Sequence, residues 1–456
     1  MTLSFPKHLG CLLAGLTAAC VSPPERDPVQ TAGDKAPSQW SVPAGAVGEV
    51  RPWLRTFESS ELDSLVQTAL SGNYELRALA ARIDQAQALA RIEGARRKPQ
   101  LAFAPGFQHV GVPTADEVAG TAWEVGFGVS WELDVWGRIR SLQEAAEAEA
   151  EAVRADVAGA VLSLSARTVQ TCFDLAEARQ QVRVEEQWVA ERRTLVGLVQ
   201  GRFNQGLTAG LDLSMAKTDL SAAEAQLQEA RNRVQLTARR LETLLGHYPA
   251  GAIEYCTDLP ELPRSAIAGV PSELLARRPD IGAGFARLRA QDGRLASARK
   301  ALLPRLTLTA AGGARGSNQP ELFDPRSLGW NLAMGLVQPI YLGGRLRAEI
   351  DLNAALVEES LQHYRNIVLT AFREVEQSLA AEEWLLNRQK SLAETVRRTD
   401  ITRKLAIRSY RNGLVDMLTV LDSYRSTLSA NSDLLAAKRD VLNNRVNLYL
   451  ALGGEV

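Results

Sequence analysis

Between residues 122 and 133 large apolar positions alternate with small or acidic ones: Trp123, Val125, Phe127, Val129, Trp131 and Leu133 against Ala122, Glu124, Gly126, Gly128, Ser130 and Glu132. A period of two predicts a β-strand with one apolar face. Its partner runs over about 101–111, with Leu101, Phe103 and Phe107 on one side. A second pair, about 305–312 and 329–338, alternates Leu306, Leu308 and Ala310 with Thr307, Thr309 and Ala311, then Trp330, Leu332, Met334 and Leu336 with Asn331, Ala333 and Gly335. Strands of about ten residues cross a bilayer when tilted. A half-buried soluble sheet would alternate in the same way. The terminal tryptophans, however, suit an interfacial girdle, and the small residues opposite them suit a lumen. Four strands cannot close on themselves, and lipid does not tolerate an open sheet edge, so a transmembrane reading requires several chains to share one barrel.

The rest of the chain follows a helical period. A helix from about Ser59 to Arg97 stops before Pro99, and its counterpart runs over about 271–302. After each strand pair comes an unusually long helix, 138–204 and then 345–412, neither containing a proline. At ~1.5 Å per residue each extends roughly 100 Å, more than a globular core needs. Ile350, Val357, Leu361, Tyr364, Val368, Ala371 and Val375 keep the spacing of a coiled-coil seam. Shorter helices return over 211–245 and 416–452, the first with apolar or small residues every three or four positions from Leu213 to Leu244.

These elements occur twice. Lys98-Pro99-Gln100-Leu101 matches Leu303-Pro304-Arg305-Leu306 at a shift of 205 residues, and Gly137-Arg138-Ile139-Arg140 matches Gly344-Arg345-Leu346-Arg347 at 207. Phe203 to Gly206 matches Tyr410 to Gly413 at the same shift. So long a repeat predicts a duplicated domain, repeat one over 57–256 and repeat two over 257–456. The copies differ on one stripe of the returning helices: Leu421, Leu428, Leu435, Leu442 and Tyr449 stand where the first copy has Ser214, Ser221, Gln228, Gln235 and Glu242. Similar internal seams with different outer neighbours are expected of alternating staves in a cylinder built from several chains.

Residues 1–19 predict a signal peptide: Lys7 precedes a short apolar stretch, and Leu16-Thr17-Ala18-Ala19-Cys20 resembles a bacterial lipobox, making Cys20 the lipidated first residue. Residues 20–56, rich in Pro, Gly and Ser, read as an extended tether. With 52 basic and 53 acidic side chains there is no electrostatic pull toward nucleic acid. Four scattered histidines and four cysteines offer no metal cluster, cofactor cradle or catalytic constellation, so neither an enzyme nor a metal site is expected. Gly312, Gly313 and Gly316 read as glycines of a hairpin loop spanning 312–328, with a second loop over 112–120. No apolar run after residue 20 is long enough for a transmembrane helix. Cys172 and Cys256 fall at similar heights on the helical layout, which leaves a disulfide open because height does not fix azimuth.

Ser130-Trp131-Glu132-Leu133-Asp134-Val135-Trp136-Gly137-Arg138, Val270-Pro271-Ser272-Glu273-Leu274-Leu275-Ala276-Arg277-Arg278-Pro279-Asp280-Ile281, Gln338-Pro339-Ile340-Tyr341-Leu342-Gly343-Gly344-Arg345 and Tyr410-Arg411-Asn412-Gly413-Leu414, in that order, resemble the TolC family of outer-membrane efflux channels. The resemblance is to its lipoprotein branch of the NodT and OprM type and covers essentially the whole chain. It implies a mostly α protein with a transmembrane β portion, a homotrimer whose twelve strands form one outer-membrane barrel continuous with a helical periplasmic barrel. It also implies outer-membrane lipid contact, a periplasmic adaptor and an inner-membrane pump, the resistance-nodulation-division class favoured. The function implied is passive exit of small molecules. A polypeptide secretion conduit shares the fold, and a lipid-anchored coiled-coil scaffold would account for the helices alone. Substrates, the particular pump and the resting gate conformation are not legible.

Gly206, Leu207, Gly413 and Leu414 form the helical tips where an adaptor or pump would dock. By the same resemblance Leu418 and Asp422, one helical turn apart, fall at the periplasmic gate. Threefold symmetry would make Asp422 a carboxylate ring and Leu418 an apolar neck. The alternative is a solvated aspartate in a first helical turn beside a packed leucine. The first-copy equivalents, Leu211 and Met215, carry no charge.

Overall fold

The computed structural model describes residues 22–32, 40, 53–110, 120–263 and 271–454. The signal peptide, Cys20 and nearly all of the first hairpin loop lie outside them. The helices are α1 (Pro28–Ala32), α2 (Ser60–Gly72), α3 (Tyr74–Ala95), α4 (Arg138–Asn204), α5 (Gly210–Leu244), α6 (Pro271–Arg277), α7 (Pro279–Lys300), α8 (Arg345–Arg411) and α9 (Met417–Ala451). The strands are β1 (Gln100–Val110), β2 (Gly120–Leu133), β3 (Arg305–Gly316) and β4 (Leu328–Val337). No described helix is long and apolar enough to cross a membrane. The chain divides into two compact units, one of Met1–Gly33, Ala81–Ala155 and Ile281–Asn366, the other of Asp34–Ala80, Asp156–Asp280 and Ile367–Val456. Each unit therefore draws on both sequence repeats.

The first unit holds a four-stranded antiparallel sheet in the order β1-β2-β3-β4. One row across it reads Phe103, Phe127, Gly312, Trp330, and the next reads Ala104, Gly126, Gly313, Gly329. Large side chains gather on one face, with Phe103 and Phe127 ring centroids 5.3 Å apart and Phe107 and Trp123 4.6 Å apart. Gly312 and Gly313 are thus strand residues, not the start of a loop as their composition predicts. The reason is backbone proximity: a Cβ on Gly313 would lie 2.2 Å from the Val125 carbonyl oxygen, so only glycine lets β2 and β3 pair there. The connection is correspondingly shorter. It contains two 3-10 turns, Pro320–Phe323 and Pro325–Ser327, with the Glu321 carboxylate accepting from Ser317 N–H (2.7 Å) and Asn318 Nδ2 (2.7 Å).

The motif after β2 acts as a hinge between periods. Asp134 accepts from the backbone N–H of Ile139 (3.0 Å) and Arg140 (2.7 Å), capping α4, while Gly137 takes a left-handed φ of 71° that lets the chain turn. Trp136 Nε1 donates to the Pro304 carbonyl at 2.8 Å, fixing this turn beside the start of β3. Within residues 20–56, Asp27 caps α1, its carboxylate accepting from Val29 and Gln30 N–H. Arg26 pairs bidentately with Asp292, 3% exposed on α7. Tyr364, 0% exposed, donates to the Pro28 carbonyl at 2.9 Å.

In the second unit the predicted helix over 59–97 is broken at Asn73, and its counterpart at Arg278, the equivalent position at a shift of 205. The cause is a carbonyl left over at the end of each returning helix. Asn73 Nδ2 donates to the Leu244 carbonyl (3.1 Å), and Arg278 Nη1 to that of Ala451 (3.0 Å). Asn73 Oδ1 also caps α3 through Leu76 N–H (3.0 Å). Equivalent residues make equivalent bonds.

The copy-specific stripe has a different meaning from the one its pattern predicts. Leu421, Leu442 and Tyr449 are buried inside the single chain, so their neighbours are its own residues. Tyr449 packs on Trp53 and Phe57 of the 3-10 turn Trp53–Phe57, and Thr56 Oγ1 donates to its hydroxyl at 3.1 Å. Its first-copy equivalent, buried Glu242, accepts from the N–H of Gly251 (2.6 Å) and Ala252 (2.8 Å). Each position thus pins a different connecting segment. The segment after α5 is further held by Arg179, which donates to the carbonyls of Ile253, Glu254 and Tyr255, and by a disulfide between Cys172 and Cys256 with Cα atoms 5.4 Å apart. Closing 84 residues of chain stabilises by about 4.5 kcal/mol on loop-entropy grounds.

Burial pushes the Tyr364 hydroxyl up to about 12. Above pH ~10 the unfolded chain releases this proton while the folded chain keeps it, so folding loses stability as pH rises from about 10 to about 12. The stability advantage of wild type over Tyr364→Phe, measured by chemical denaturation, should be constant below pH 9 and shrink across that window. An advantage independent of pH would mean that Tyr364 is not held in its neutral form.

Candidate gate and docking tip

Both long helices end in the same turn. Gly206 and Gly413 adopt left-handed φ of 72° and 75°. Leu207 N–H reaches back to the Arg202 carbonyl, and Leu414 N–H to that of Ser409, each at 2.9 Å. This is a Schellman turn, and with no atom within 4 Å of an added Cβ the glycines are required by their φ rather than by crowding. Leu207 and Leu414 follow as exposed apolar residues.

The helices restart differently. Asp416 caps α9, accepting from Thr419 N–H (2.9 Å) and Thr419 Oγ1 (2.6 Å), which holds its carboxyl below the usual range. Ala209 has no side chain to cap α5. Instead Thr208 Oγ1 donates to the Asp212 carboxylate and lies 3.3 Å from the Tyr410 hydroxyl, which itself sits 3.4 Å from Asp212 Oδ2. Arg202 donates to the Arg411 carbonyl at 2.7 Å and stacks over the Tyr410 ring. One tip is thereby tied to the other.

Beneath these ties lies a core drawn from all four helices: Trp188, Leu195 and Val199 of α4, Leu213 and Ala216 of α5, Tyr410 of α8, and Met417, Val420, Leu421 and Tyr424 of α9. The Arg403 guanidinium stands over Trp188 (5.0 Å) and Tyr424 (5.4 Å) and pairs with Glu191 and with Asp400 (2.7 Å). Stacking on two aromatic faces while meeting two carboxylates suits the planar arginine group.

Leu418 and Asp422 lie on the opposite side of α9. Leu418 is 57% exposed, so it is not a packed leucine. Asp422 is exposed and, among the described residues, has no ion-pair partner. Nor is it a helix-start residue, because α9 begins at Met417 and Asp416 fills that role. In the first copy Leu211 is exposed in the same way, whereas Met215 packs partly against the tip core. The signals for the tie lie in the comparison of the copies, where Tyr410 stands opposite Phe203 and Thr208 opposite Val415. Among the described residues one group has metal-ligating types close together, Glu61 with Cys172 and Cys256, but the sulfurs are bonded to each other and Glu61 accepts the Cys256 N–H at 2.5 Å.

The family described as "Outer membrane efflux protein" matches residues 65–247 and again 270–454. The chain is 33% identical to the pyoverdine export outer membrane protein OpmQ of Pseudomonas putida, covering 99% of this chain and 98% of that one. It is 32% identical to the toluene efflux pump outer membrane protein TtgI of Pseudomonas putida, covering 87% and 86%. Among solved structures, the outer-membrane channel OprN aligns with a TM-score of 0.87 at 27% identity, covering 95% of this chain and 99% of that one.

The tie between the tips has a measurable strength. A double-mutant cycle of Tyr410→Phe with Thr208→Val should give a coupling of about 0.5–1.5 kcal/mol in chemical denaturation. Additive effects would show that the two hydroxyls do not share a bond.

Proposed function

The chain belongs to the outer membrane efflux protein family, and from that premise we propose a trimeric exit channel with a charged gate at its helical tips. It is an outer-membrane efflux component that works with a periplasmic adaptor and an inner-membrane pump. The observation that carries the channel reading is the sheet. Phe103 is 59% exposed, Trp330 83% and Met334 68%, an apolar face that needs lipid, while the outer edges of β1 and β4 are unpaired among the described strands. Three copies joined edge to edge supply twelve strands, satisfy those edges and keep the apolar face outward.

Cargo of small organic molecules fits the relatives, one named for pyoverdine export and another for toluene efflux. The lipoprotein-type sequence features support lipidation at Cys20 and a pump of the resistance-nodulation-division class. Leu207 and Leu414, exposed beside Gly206 and Gly413, offer the adaptor an apolar contact. At the gate, the exposed Leu418 and the unpartnered Asp422 support a neck and a carboxylate ring once three copies meet.

The detergent-solubilised protein should be a trimer by light scattering, and a folded monomer would end the barrel assignment. Cys20→Ser should abolish acyl labelling; unchanged labelling would place the lipid elsewhere. In single-channel recordings Asp422→Asn should reduce cation preference and Leu418→Ser should raise resting conductance. Met215→Ser should leave selectivity nearly unchanged, because no charge is lost. Unaltered selectivity in an assembled Asp422→Asn channel would remove the carboxylate ring.

A further inference from the structure

The connection between β3 and β4 folds back onto the sheet it leaves. Trp123 and Gly316 are paired in register, so they share the apolar face with Phe107, the partner of Trp123 on β1. A Cβ added at Gly316 would lie 2.5 Å from Glu321 Cβ, which places the 3-10 turn Pro320–Phe323 over that same face. At the next outward-facing position of β3, Ala314 is 7% exposed, whereas Leu328 beside it on β4 is 67% exposed. Glu321, bonded to Ser317 and Asn318, and Asp324, which accepts from Arg326 N–H at 2.8 Å, hold the connection in shape. Between the turn and the sheet opens a cleft of about 450 Å³, walled by Pro105 and Phe107 of β1, Trp123 and Val125 of β2, and Leu322 and Phe323 of the turn. Phe107 and Phe323 remain 59% and 89% exposed.

These walls are continuous with the lipid-facing surface of the barrel. The opposite ends of the strands lead into the periplasmic helices, so the β3–β4 connection lies at the external end. Trp123 and Trp131 bracket the apolar band of β2. Eight residues at ~3.3 Å each, tilted by about 40°, separate them by roughly 20 Å along the membrane normal, which sets Trp123 at the outer girdle. An apolar recess at that depth borders hydrocarbon, and filling it with water would forgo the burial of aromatic surface. The outer leaflet of a bacterial outer membrane is built of lipopolysaccharide. We propose that the cleft seats the head-proximal part of one acyl chain of lipid A, held between the Phe107–Trp123 pair and the Leu322–Phe323 turn. Gln319, which also lines the cleft, supplies an amide for a carbonyl or hydroxyl of the lipid. A seated chain covers Phe323 and braces the connection against the barrel wall, making the lipid part of the external rim. The inference rests on the barrel placement of the sheet.

The test reconstitutes the full chain in phosphatidylethanolamine vesicles doped with lipid A that carries a photoactivatable diazirine near the carbonyl of an acyl chain. After irradiation, trypsin separates the peptide Gly316–Arg326, which holds Leu322 and Phe323, from Ser327–Arg345, which holds β4. Ordinary lipid contact labels the β4 peptide more, because Leu328, Trp330, Leu332, Met334 and Leu336 are all exposed. A seated chain labels the turn peptide more. Phe107→Ala, on the opposite wall, should lower the label on the turn peptide about tenfold and leave that on the β4 peptide unchanged. Trp123→Ala serves the same purpose if Phe107→Ala does not assemble. Phosphatidylethanolamine bearing the same diazirine, at the same amount in separate vesicles, should label the turn peptide several-fold less than lipid A does. Predominant labelling of β4 by lipid A, or turn labelling unchanged in both assembled variants, would overturn the seat and leave the cleft to a neighbouring copy or to residues 111–119, outside the described residues. Equal turn labelling by the two lipids would overturn lipid A as the occupant. Absence of label from both peptides would overturn the barrel placement and the seat with it.

Discussion

A four-stranded sheet with two unpaired edges and an apolar face cannot persist alone in lipid, and most of the other features follow from that constraint. Each unpaired backbone group in hydrocarbon costs several kcal/mol, so the outer edges of β1 and β4 must find partners. The partners available in register are the same strands of other copies. The apolar rows then meet lipid, and the small rows, such as Ala104, Gly126, Gly313 and Gly329, face inward. Glycine at 126 and 313 serves a second purpose by letting β2 and β3 approach closely where the two repeats join within one sheet.

Duplication supplied the scaffold, and the departures from it carry the individual tasks. Asn73 and Arg278 do the same work, each ending a helix and covering the last carbonyl of a returning one. Glu242 and Tyr449 occupy equivalent positions but hold different segments, one by accepting backbone N–H groups and the other by aromatic packing. Phe203 and Tyr410 differ by one hydroxyl, which reaches across to Thr208 and Asp212. Met215 leans on the core, whereas Asp422 points away from it. In a chain made of two like halves, a polar residue in only one half marks a place where the halves must meet something different.

Features with a period were legible from the sequence. The alternation around Phe127 gave its strand, the absence of proline gave α4 and α8, and the glycines at 206 and 413 gave the turns. What escaped were contacts between residues distant in sequence. The breaks at Asn73 and Arg278 answer carbonyls about 170 residues away, so the local helical pattern runs through them. Gly313 resembles a loop residue because the backbone that excludes a Cβ there belongs to β2. The Cys172–Cys256 bond needed an azimuth that helix counting does not supply. Leu418 and Asp422 were legible as a pair one turn apart, but their exposure and the competing cap at Asp416 emerged only with the helix boundary.

The tip combines two kinds of contact with different consequences for motion. Its aromatic core, with Arg403 clasped between Trp188 and Tyr424, is buried and holds residues of four helices together. The ties beyond it, from Arg202 to the Arg411 carbonyl and among Thr208, Asp212 and Tyr410, are partly exposed hydrogen bonds worth on the order of 1 kcal/mol each. Water can replace such bonds at modest cost, whereas it cannot replace the packing of Trp188 against Tyr424. A partner that binds one arrangement of the tips more tightly therefore has only a few kcal/mol to overcome per copy if it rearranges the outer ties and leaves the core intact. Asp422 lies on the exposed side of α9, away from that core, so rearranging the outer ties costs it no buried contact.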